Sequence, residues 1–249
     1  MPVYEGLIAE TVNFPGDGGD VINAYFARPL GPGPYPGVIV VHHMPGWDEA
    51  TKEITRRFAH HGYTAICPNL HYREAPEGSP DDAAAISRAA GGVPDSRFIG
   101  DAQGSVFYLD SLPYHSGKVG MIGFCSGGRQ TYLAAGLMDS IAAAVDCWGG
   151  RVIAADEELT ELQPVAPIDY TPRIKIPLLG IFGEDDSSPS PEQVDATEAE
   201  LQKHGVDYDF RRYQGAGHGF FATDRPSYRP VQAKEAWVEV FRFFKRHLD

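Results

Sequence analysis

One glycine-rich stretch lies between a short apolar run and a helix-compatible run. It reads Gly-Phe-Cys-Ser-Gly-Gly, residues 123–128, with Val-Gly-Met-Ile before it and an apolar segment at 129–138 after it. This order predicts a buried strand that turns sharply into a helix. A strand, tight turn and helix in succession are typical of a nucleophile elbow, in which the turn exposes one reactive side chain.

The glycine spacing favours Cys125 over Ser126 as the residue at the tip of this turn. The residue at the tip adopts a strained backbone, and its neighbours two before and two after must be small. Cys125 has Gly123 and Gly127 at those positions, whereas Ser126 would have Phe124. A thiol at a helix N-terminus also meets unpaired N–H groups, which favour the thiolate. We therefore predict that Cys125 is the nucleophile; the alternative is a buried structural cysteine in a glycine-rich turn.

The rest of the chain alternates between predicted strands and helices. Residues 7–14 and 20–28 predict a hairpin, and the β-branched run at 37–41 predicts a central parallel strand. Further strands are predicted at 63–67, 118–122, 141–147, 178–182 and 208–213, and helices at 49–61, 95–112, 191–204 and 230–248, with one short helix within 74–95. This alternation predicts a single α/β domain over residues 1–249, with a mostly parallel sheet covered by helices on both faces. The proline-punctuated segment 151–172 is expected to be irregular and to form a partial lid.

A nucleophilic thiol needs a base, and the base needs an acid that orients it. Of nine histidines, His218 alone lies in a glycine-rich loop after the last predicted strand. Asp185 and Asp186 both follow the predicted strand at 178–182. The order nucleophile, acid, histidine is that of the α/β-hydrolases, and the spacing alone leaves the choice between the two aspartates open.

Two backbone N–H groups complete the predicted site. They belong to Ser126, directly after the nucleophile, and to Met44, in the loop after the central strand, where they would form an oxyanion hole. His42 and His43 raise the question of a metal, but adjacent histidines point in different directions and no further ligand completes a metal-binding pattern. We predict no metal.

The formal net charge of −13 and the absence of a Lys/Arg cluster exclude nucleic acid and anionic membrane surfaces as expected partners. The three cysteines are widely spaced, so neither a disulfide framework nor a zinc site is indicated and a reducing cytoplasm is expected. Residues 1–5 show no basic segment followed by an apolar run, and nowhere do about 18 apolar residues run together. The oligomeric state, monomer or homo-oligomer, is left open.

The chain resembles the dienelactone hydrolase family, whose best-known activity is carboxymethylenebutenolidase. The matching segments are Gly-Tyr-Thr-Ala-Ile-Cys-Pro-Asn-Leu at 62–70, residues 73–76, Gly-Lys-Val-Gly-Met-Ile-Gly-Phe-Cys-Ser-Gly-Gly at 117–128 and Gly-Ala-Gly-His-Gly-Phe at 215–220. The resemblance implies an α/β-hydrolase fold with an eight-stranded core, a thiol acyl-enzyme and no cofactor. In that family the acid follows the glycine after its strand by three positions, which selects Asp186.

Two departures from the family pattern concern the resting thiol, which the family's Glu contacts, and the substrate. The family's loop after the early strand often reads Gln-Glu-x-x-Gly, and His43 stands here in the Glu position. A carboxylate-binding arginine can follow the catalytic histidine by four residues, and that position is Ala222. The alternative carboxylate-binding candidates are Arg73, which matches a family position, Arg129 and Arg151. The full set of candidate substrate contacts is His43, Trp47, Arg73, Trp148 and Phe220.

These features predict a hydrolase of lactones or small carboxylic esters that works through Cys125, His218 and Asp186. Two other classes are considered. A non-hydrolytic family member would bind or isomerise a small metabolite in the same pocket, because a fold does not guarantee a chemistry. A redox-sensing thiol is disfavoured, because no resolving cysteine lies near Cys125 in the sequence.

Overall fold

A computed structural model describes residues 6–249; the expectation about the N-terminal segment, residues 1–5, lies outside this range. Within the described residues the strands are β1 (Leu7–Pro15), β2 (Val21–Pro29), β3 (Tyr35–Val41), β4 (Thr64–Pro68), β5 (His115–Phe124), β6 (Ala143–Cys147), β7 (Leu178–Gly183) and β8 (Tyr208–Tyr213). The helices are α1 (Glu49–His60), α2 (Pro80–Ala89), α3 (Asp95–Asp110), α4 (Ser126–Leu137), α5 (Pro191–Lys203) and α6 (Pro230–Leu248). Short 3₁₀ turns occupy Asp17–Gly19, Asp156–Glu158 and Pro167–Arg173.

The eight strands form one sheet in the order β1-β2-β4-β3-β5-β6-β7-β8. The predicted hairpin is β1 and β2, and β2 also pairs antiparallel with β4. All other neighbours, from β4 to β8, are parallel. The mostly parallel eight-stranded sheet is therefore confirmed, with the two antiparallel strands at one edge.

The central strands are buried on both faces, as their continuous apolar runs predict. Along β3, Val38 and Val40 pack into one core cluster, and Ile39 and Val41 into another on the opposite face. Helices α1 and α6 cover the first face, with Phe58 of α1 and Trp237, Val240 and Phe244 of α6. Phe98 and Val106 of α3 and Leu133 of α4 cover the second. Helices on both faces are thus confirmed.

Because β3 to β8 run parallel, the loops after their carboxyl ends meet at one edge of the sheet, which is the usual ligand-binding edge of such folds. The loops after β3, β5, β7 and β8 carry the predicted site residues. No helix within residues 6–249 is both long and apolar enough to cross a membrane.

Candidate active site

Cys125 occupies the turn between β5 and α4 with a strained backbone. Its φ of 56° and ψ of −117° lie in a region that side chains rarely adopt. A Cβ atom on Gly123 would collide with the backbone of Gly127, and one on Gly127 would collide with the carbonyl oxygen of Val41. Ser126 is already the first residue of α4. The geometry thus exposes Cys125 at the tip and explains why both flanking positions are glycine.

The surroundings of the Cys125 thiol favour its ionised form. Burial alone would raise the pKa of this thiol, but a hydrogen bond to His218 and the charge of that imidazolium lower it. The backbone N–H groups of Ser126 and Met44 donate to the sulfur and act in the same direction. The net effect is a thiol pKa below its ordinary value.

His218 is held by a carboxylate on the side away from the thiol. Its Nδ1 lies 2.9 Å from Oδ2 of Asp186, whose side chain is 2% exposed, whereas the His218 side chain is 41% exposed. The other oxygen of Asp186 accepts from the backbone N–H of Ser188 at 2.9 Å. Asp185 is exposed, and the carboxylate that contacts His218 is Asp186, in agreement with the three-position spacing.

The pKa of His218 follows from these contacts. Partial burial alone would lower it, but the hydrogen bonds to Asp186 and Cys125 and their negative charges raise it above the usual histidine range. The imidazole is therefore protonated when the thiol is ionised. A thiolate beside an imidazolium can act chemically as a nucleophile with an adjacent proton donor.

The pocket in front of Cys125 has a volume of about 230 Å³. Its lining residues come from the loop after β3 and the start of α1, from the elbow, from the loop after β6, and from the segment after His218; they are His43, Pro45, Ala50, Thr51, Glu53, Ile54, Phe124, Cys125, Trp148, His218, Gly219, Phe221, Ala222, Thr223, Arg225 and Ser227. Apolar side chains such as Ile54, Phe124, Trp148 and Phe221 share this wall with polar and charged ones such as Glu53, His218 and Arg225. This is the usual make-up of a small-molecule site.

Asp48 does not line the pocket itself, but it contacts three lining residues, Thr51, His43 and Arg225. Asp48 caps α1 through the N–H and hydroxyl of Thr51, at 3.0 and 2.8 Å. Its other oxygen contacts Nε2 of His43 at 2.6 Å and the guanidinium of Arg225 at 3.3 Å. Burial alone would raise the pKa of Asp48, but His43 and Thr51 outweigh it and hold the carboxyl ionised. The loop after β3 and the segment after His218 are thereby joined.

Two of the aromatic candidate contacts lie outside the pocket. Trp47 is buried beneath α1, edge-on to Tyr25, with the ammonium of Lys52 over its ring. Phe220 is fully buried and packs against Trp148 from below, while the next residue, Phe221, faces the pocket. Of the predicted aromatic contacts, Trp148 lines the pocket. The expectations for Trp47 and Phe220 are corrected accordingly.

The three candidate arginines are held by other groups, away from the pocket. Arg73 forms a bidentate ion pair with the fully buried Asp101, at 2.9 and 3.0 Å. Arg129 is buried and forms a bidentate ion pair with Asp95, at 2.6 and 3.0 Å. Arg151 is exposed and donates to the carbonyl of Glu158. None of the three lines the pocket, and the expectation that one of them binds substrate is corrected.

The predicted lid also lies elsewhere. Residues 151–172 contribute no side chain to the pocket lining. They pack against α4 instead: Thr171 is hydrogen-bonded to Tyr132 at 2.7 Å, and the backbone of Tyr170 lies close to Gly136. The segment therefore covers a helix rather than the ligand edge.

The adjacent histidines point in different directions, as the extended backbone predicts. His42 turns towards the backbone of Leu70, and His43 turns towards Asp48. Among residues 6–249, no three His, Cys, Asp or Glu side chains are grouped so that they could hold a metal ion.

Most residues that line the pocket were not predicted from the sequence, and Phe221 and Arg225 are two of them. Asp48, which holds the lining residues His43 and Arg225 in place, was not predicted either. Asp48 carried a signal, because an aspartate directly before a predicted helix is a typical N-cap. Phe221 and Arg225 carried none, because the orientation of side chains in an irregular loop has no period. Their positions depend on how the segment after His218 folds back towards α1.

Comparisons with known proteins agree with this architecture. A model of the "Dienelactone hydrolase family" matches residues 22–248. A protein of Escherichia coli (strain K12) named "Putative carboxymethylenebutenolidase" is 34% identical over 98% of this chain and 89% of its own length. A protein of Methylorubrum extorquens with the same name is 33% identical over 97% of this chain and 82% of its own.

A solved structure shows the same fold over the whole chain. It is described as "Crystal Structure of Putative Dienelactone Hydrolase from Klebsiella pneumoniae subsp. pneumoniae MGH 78578", with a TM-score of 0.89 and 29% identity, and the match covers 98% of this chain and 100% of that one. The α/β-hydrolase fold and the expectation of a hydrolase are thereby confirmed. With its eight-stranded sheet, its strained elbow and these relatives, the chain belongs to the dienelactone hydrolase family.

Proposed function

We propose that the protein hydrolyses a lactone or small carboxylic ester through a thioester on Cys125. The observation that carries the proposal is that Cys125, at the strained elbow, and His218, held by Asp186 at 2.9 Å, line the same pocket. His218 and the backbone N–H groups of Ser126 and Met44 also lower the pKa of the Cys125 thiol. A thiolate with its base and two amide donors is the arrangement that acyl transfer requires. The family membership supports a lactone as the substrate class.

In the first half of the reaction the Cys125 thiolate attacks the carbonyl carbon. The carbonyl oxygen becomes an oxyanion that accepts hydrogen bonds from the N–H groups of Met44 and Ser126. The C–O bond to the leaving alkoxide then breaks, and the imidazolium of His218 gives that oxygen its proton. With a lactone the hydroxyl formed stays attached to the acyl group, so the thioester carries a ring-opened chain.

In the second half His218, now neutral, takes a proton from a water molecule that attacks the thioester carbonyl. A second oxyanion forms in the same hole and collapses, with cleavage of the C–S bond and release of the carboxylic acid. The thiolate and the imidazolium are regenerated. Throughout both halves, Asp186 accepts the hydrogen bond from Nδ1–H of His218, which orients the ring and stabilises the imidazolium.

The proposal is tested by rapid mixing with a p-nitrophenyl ester. A burst of nitrophenol close to one equivalent is expected, followed by slower turnover, because acylation of a thiolate by an activated ester outpaces hydrolysis of the thioester. Intact mass spectrometry of quenched protein, followed by peptide mapping, is expected to locate the acyl group on Cys125. Turnover without any acylated protein would contradict the covalent route, and binding without turnover would favour the non-hydrolytic alternative.

Alkylation of Cys125 by iodoacetamide is expected to persist at pH values where an ordinary thiol is protonated. The reason is the lowered pKa of Cys125, which keeps the thiolate populated as the pH falls. Replacement His218→Ala removes the largest contact that lowers this pKa, so the midpoint of the rate against pH is expected to rise. An unchanged midpoint in His218→Ala would contradict the ion pair.

Substrate recognition is expected not to depend on a carboxylate. Among the described residues that line the pocket, Arg225 is the only arginine or lysine, and Asp48 already neutralises much of its charge. Glu53 lines the same pocket and is paired with Arg57 at 3.0 Å, so it offers an anion no favourable contact. Without a free arginine, a bound carboxylate loses a charge-assisted contact worth about 1.5–3 kcal/mol, or roughly ten- to a hundredfold in affinity.

The measurement is kcat/KM for a dienelactone carboxylate and for its neutral methyl ester. We expect kcat/KM for the carboxylate to exceed that for the methyl ester by less than about tenfold, consistent with the missing contact. The matched variant Arg225→Gln is expected to change the ratio by less than about threefold, the size of a weak exposed contact. A ratio of ten or more in the wild type that collapses in Arg225→Gln would show that Arg225 leaves Asp48 to bind the carboxylate.

A further inference from the structure

His42 lies directly before the proposed oxyanion loop, and its ring joins two backbone groups. Its Nδ1 lies 2.8 Å from the carbonyl oxygen of His43. On the other side of the ring, Nε2 accepts a hydrogen bond of 3.1 Å from the backbone N–H of Leu70. The ring is 2% exposed. It therefore connects the loop after β3 to the segment that follows β4.

These two contacts define the tautomer of His42. A backbone N–H only donates, so Nε2 must be the unprotonated acceptor, and the proton resides on Nδ1, which donates to the carbonyl of His43. Burial, followed by the nearby ring of His71, lowers the pKa of His42 to about 3. The ring is consequently neutral throughout the pH range in which an esterase is assayed, and its hydrogen bond to His43 is permanent.

The carbonyl held by His42 belongs to the peptide that contains the N–H of Met44. In a trans peptide, the C=O and the N–H point in opposite directions within one plane. Holding the carbonyl of His43 away from the pocket therefore directs the N–H of Met44 towards the sulfur of Cys125, where it donates. The N–H of Gly46 also donates to this carbonyl, at 2.9 Å.

We propose that His42 is a positioning residue for the oxyanion hole: its Nδ1–H orients the His43–Met44 peptide so that the N–H of Met44 faces the reacting carbonyl. The inference rests on the proposed function, because it concerns the oxyanion of that reaction. Without His42, the bond from Gly46 still holds the carbonyl, but the peptide can rotate and lose its alignment. The effect is expected to fall on the transition state rather than on substrate binding.

The first test compares two replacements of His42. His42→Phe keeps the shape of the ring and removes both hydrogen bonds, and kcat is expected to fall by about ten- to a hundredfold, less than the 10²–10³-fold loss of a complete oxyanion donor. KM is expected to stay within about threefold, because ground-state binding does not use the donor. His42→Asn carries an N–H close to the position of Nδ1, and it is expected to recover most of kcat.

His71→Phe is the matched control. His71 is buried beside His42, with ring centroids 4.7 Å apart, and its Nδ1 has no hydrogen-bond partner among the described residues. Its replacement perturbs the same packing without touching the peptide, so kcat is expected to remain near the wild-type value. Equal loss of kcat in His71→Phe and His42→Phe would show that packing alone is responsible and would overturn the inference.

A second measurement separates the oxyanion from the thiol. A trifluoromethyl ketone forms a tetrahedral adduct whose oxyanion needs the hole, whereas iodoacetamide alkylates the same sulfur without forming an oxyanion. In His42→Phe the affinity for the ketone is expected to fall in parallel with kcat. The alkylation rate is expected to change by no more than about threefold, because His218 and Ser126 still stabilise the thiolate. Equal losses in both assays would overturn the inference.

If His42→Phe does not fold, the comparison of His42→Asn with His42→Gln decides the question. The amide of Gln lies one bond further out, near the position of Nε2. Its oxygen can accept from the N–H of Leu70, but its NH₂ group cannot donate to the carbonyl of His43. Asn is expected to be the more active; a more active Gln would overturn the inference. Absence of an acyl-enzyme burst in the wild type would contradict the proposed function itself. A normal burst together with unchanged kcat in the His42 variants would contradict this inference alone.

Discussion

Replacement Cys125→Ala is expected to abolish turnover of lactones and esters. Without the thiolate no thioester can form, and loss of a nucleophile in comparable hydrolases lowers kcat by about 10⁶-fold. The residual rate is expected to come from the oxyanion hole and binding alone. The measurement is kcat with an activated ester, together with the burst amplitude, which is expected to disappear. Thermal unfolding is expected to change little, because alanine keeps the Cβ atom and the backbone of the elbow.

Ser126→Ala is the matched control at the next position. Ser126 is expected to contribute its backbone N–H, which alanine retains, so kcat should stay within about threefold of the wild-type value. Comparable losses in Cys125→Ala and Ser126→Ala would contradict the assignment of the thiol as nucleophile. If Ser126 were the nucleophile, Ser126→Ala would lose all activity and Cys125→Ala would not.

Asp186→Asn is expected to lower kcat by about 10³- to 10⁴-fold, the size of loss when a triad carboxylate becomes an amide. The amide cannot stabilise the imidazolium of His218, and its NH₂ group favours the wrong tautomer of the ring. Because Asp186 is one of the groups that raise the pKa of His218, the imidazolium is also expected to be lost at a lower pH. The measurements are kcat and the pH dependence of iodoacetamide labelling.

The neighbouring carboxylate provides the control for Asp186. Asp185→Asn removes the same charge one residue earlier, from an exposed side chain that does not contact His218. Its kcat is expected to remain close to that of the wild type. A larger loss in Asp185→Asn than in Asp186→Asn would show that the three-position spacing selects the wrong acid.

Much of the fold was predictable because its signals are local. Each central strand is a short apolar run, and each elbow or strand-end loop is marked by glycine, proline or aspartate close by in the sequence. β3 to β7 follow this pattern, and α1 to α6 and β8 also lie in or close to the segments predicted for them. Gly123 and Gly127 predicted the tip of the turn because the steric requirement there involves residues only two positions apart.

The walls of the pocket were less predictable, because they depend on contacts between distant segments. Asp48 and Arg225 are 177 positions apart and meet only when α1 and the loop after β8 are folded. The orientation of Phe220 and Phe221 follows from the packing of that loop against Trp148. Arg73 and Arg129 looked available in the sequence, yet each is bound by a carboxylate 28 or 34 positions away.

By itself the sequence determined the mostly parallel sheet and the glycine-flanked elbow, because steric demands at a turn and apolar runs of strand length act between neighbouring residues. It also predicted the chain order of the proposed nucleophile, acid and histidine. It also limited the candidates for the acid that orients His218 to Asp185 and Asp186. Only the tertiary structure decided which side chains face the ligand and which hold the backbone in place, including the bond from His42 to the peptide of Met44. The physical reason is that a side chain's partners are set by packing between segments, which no local pattern encodes.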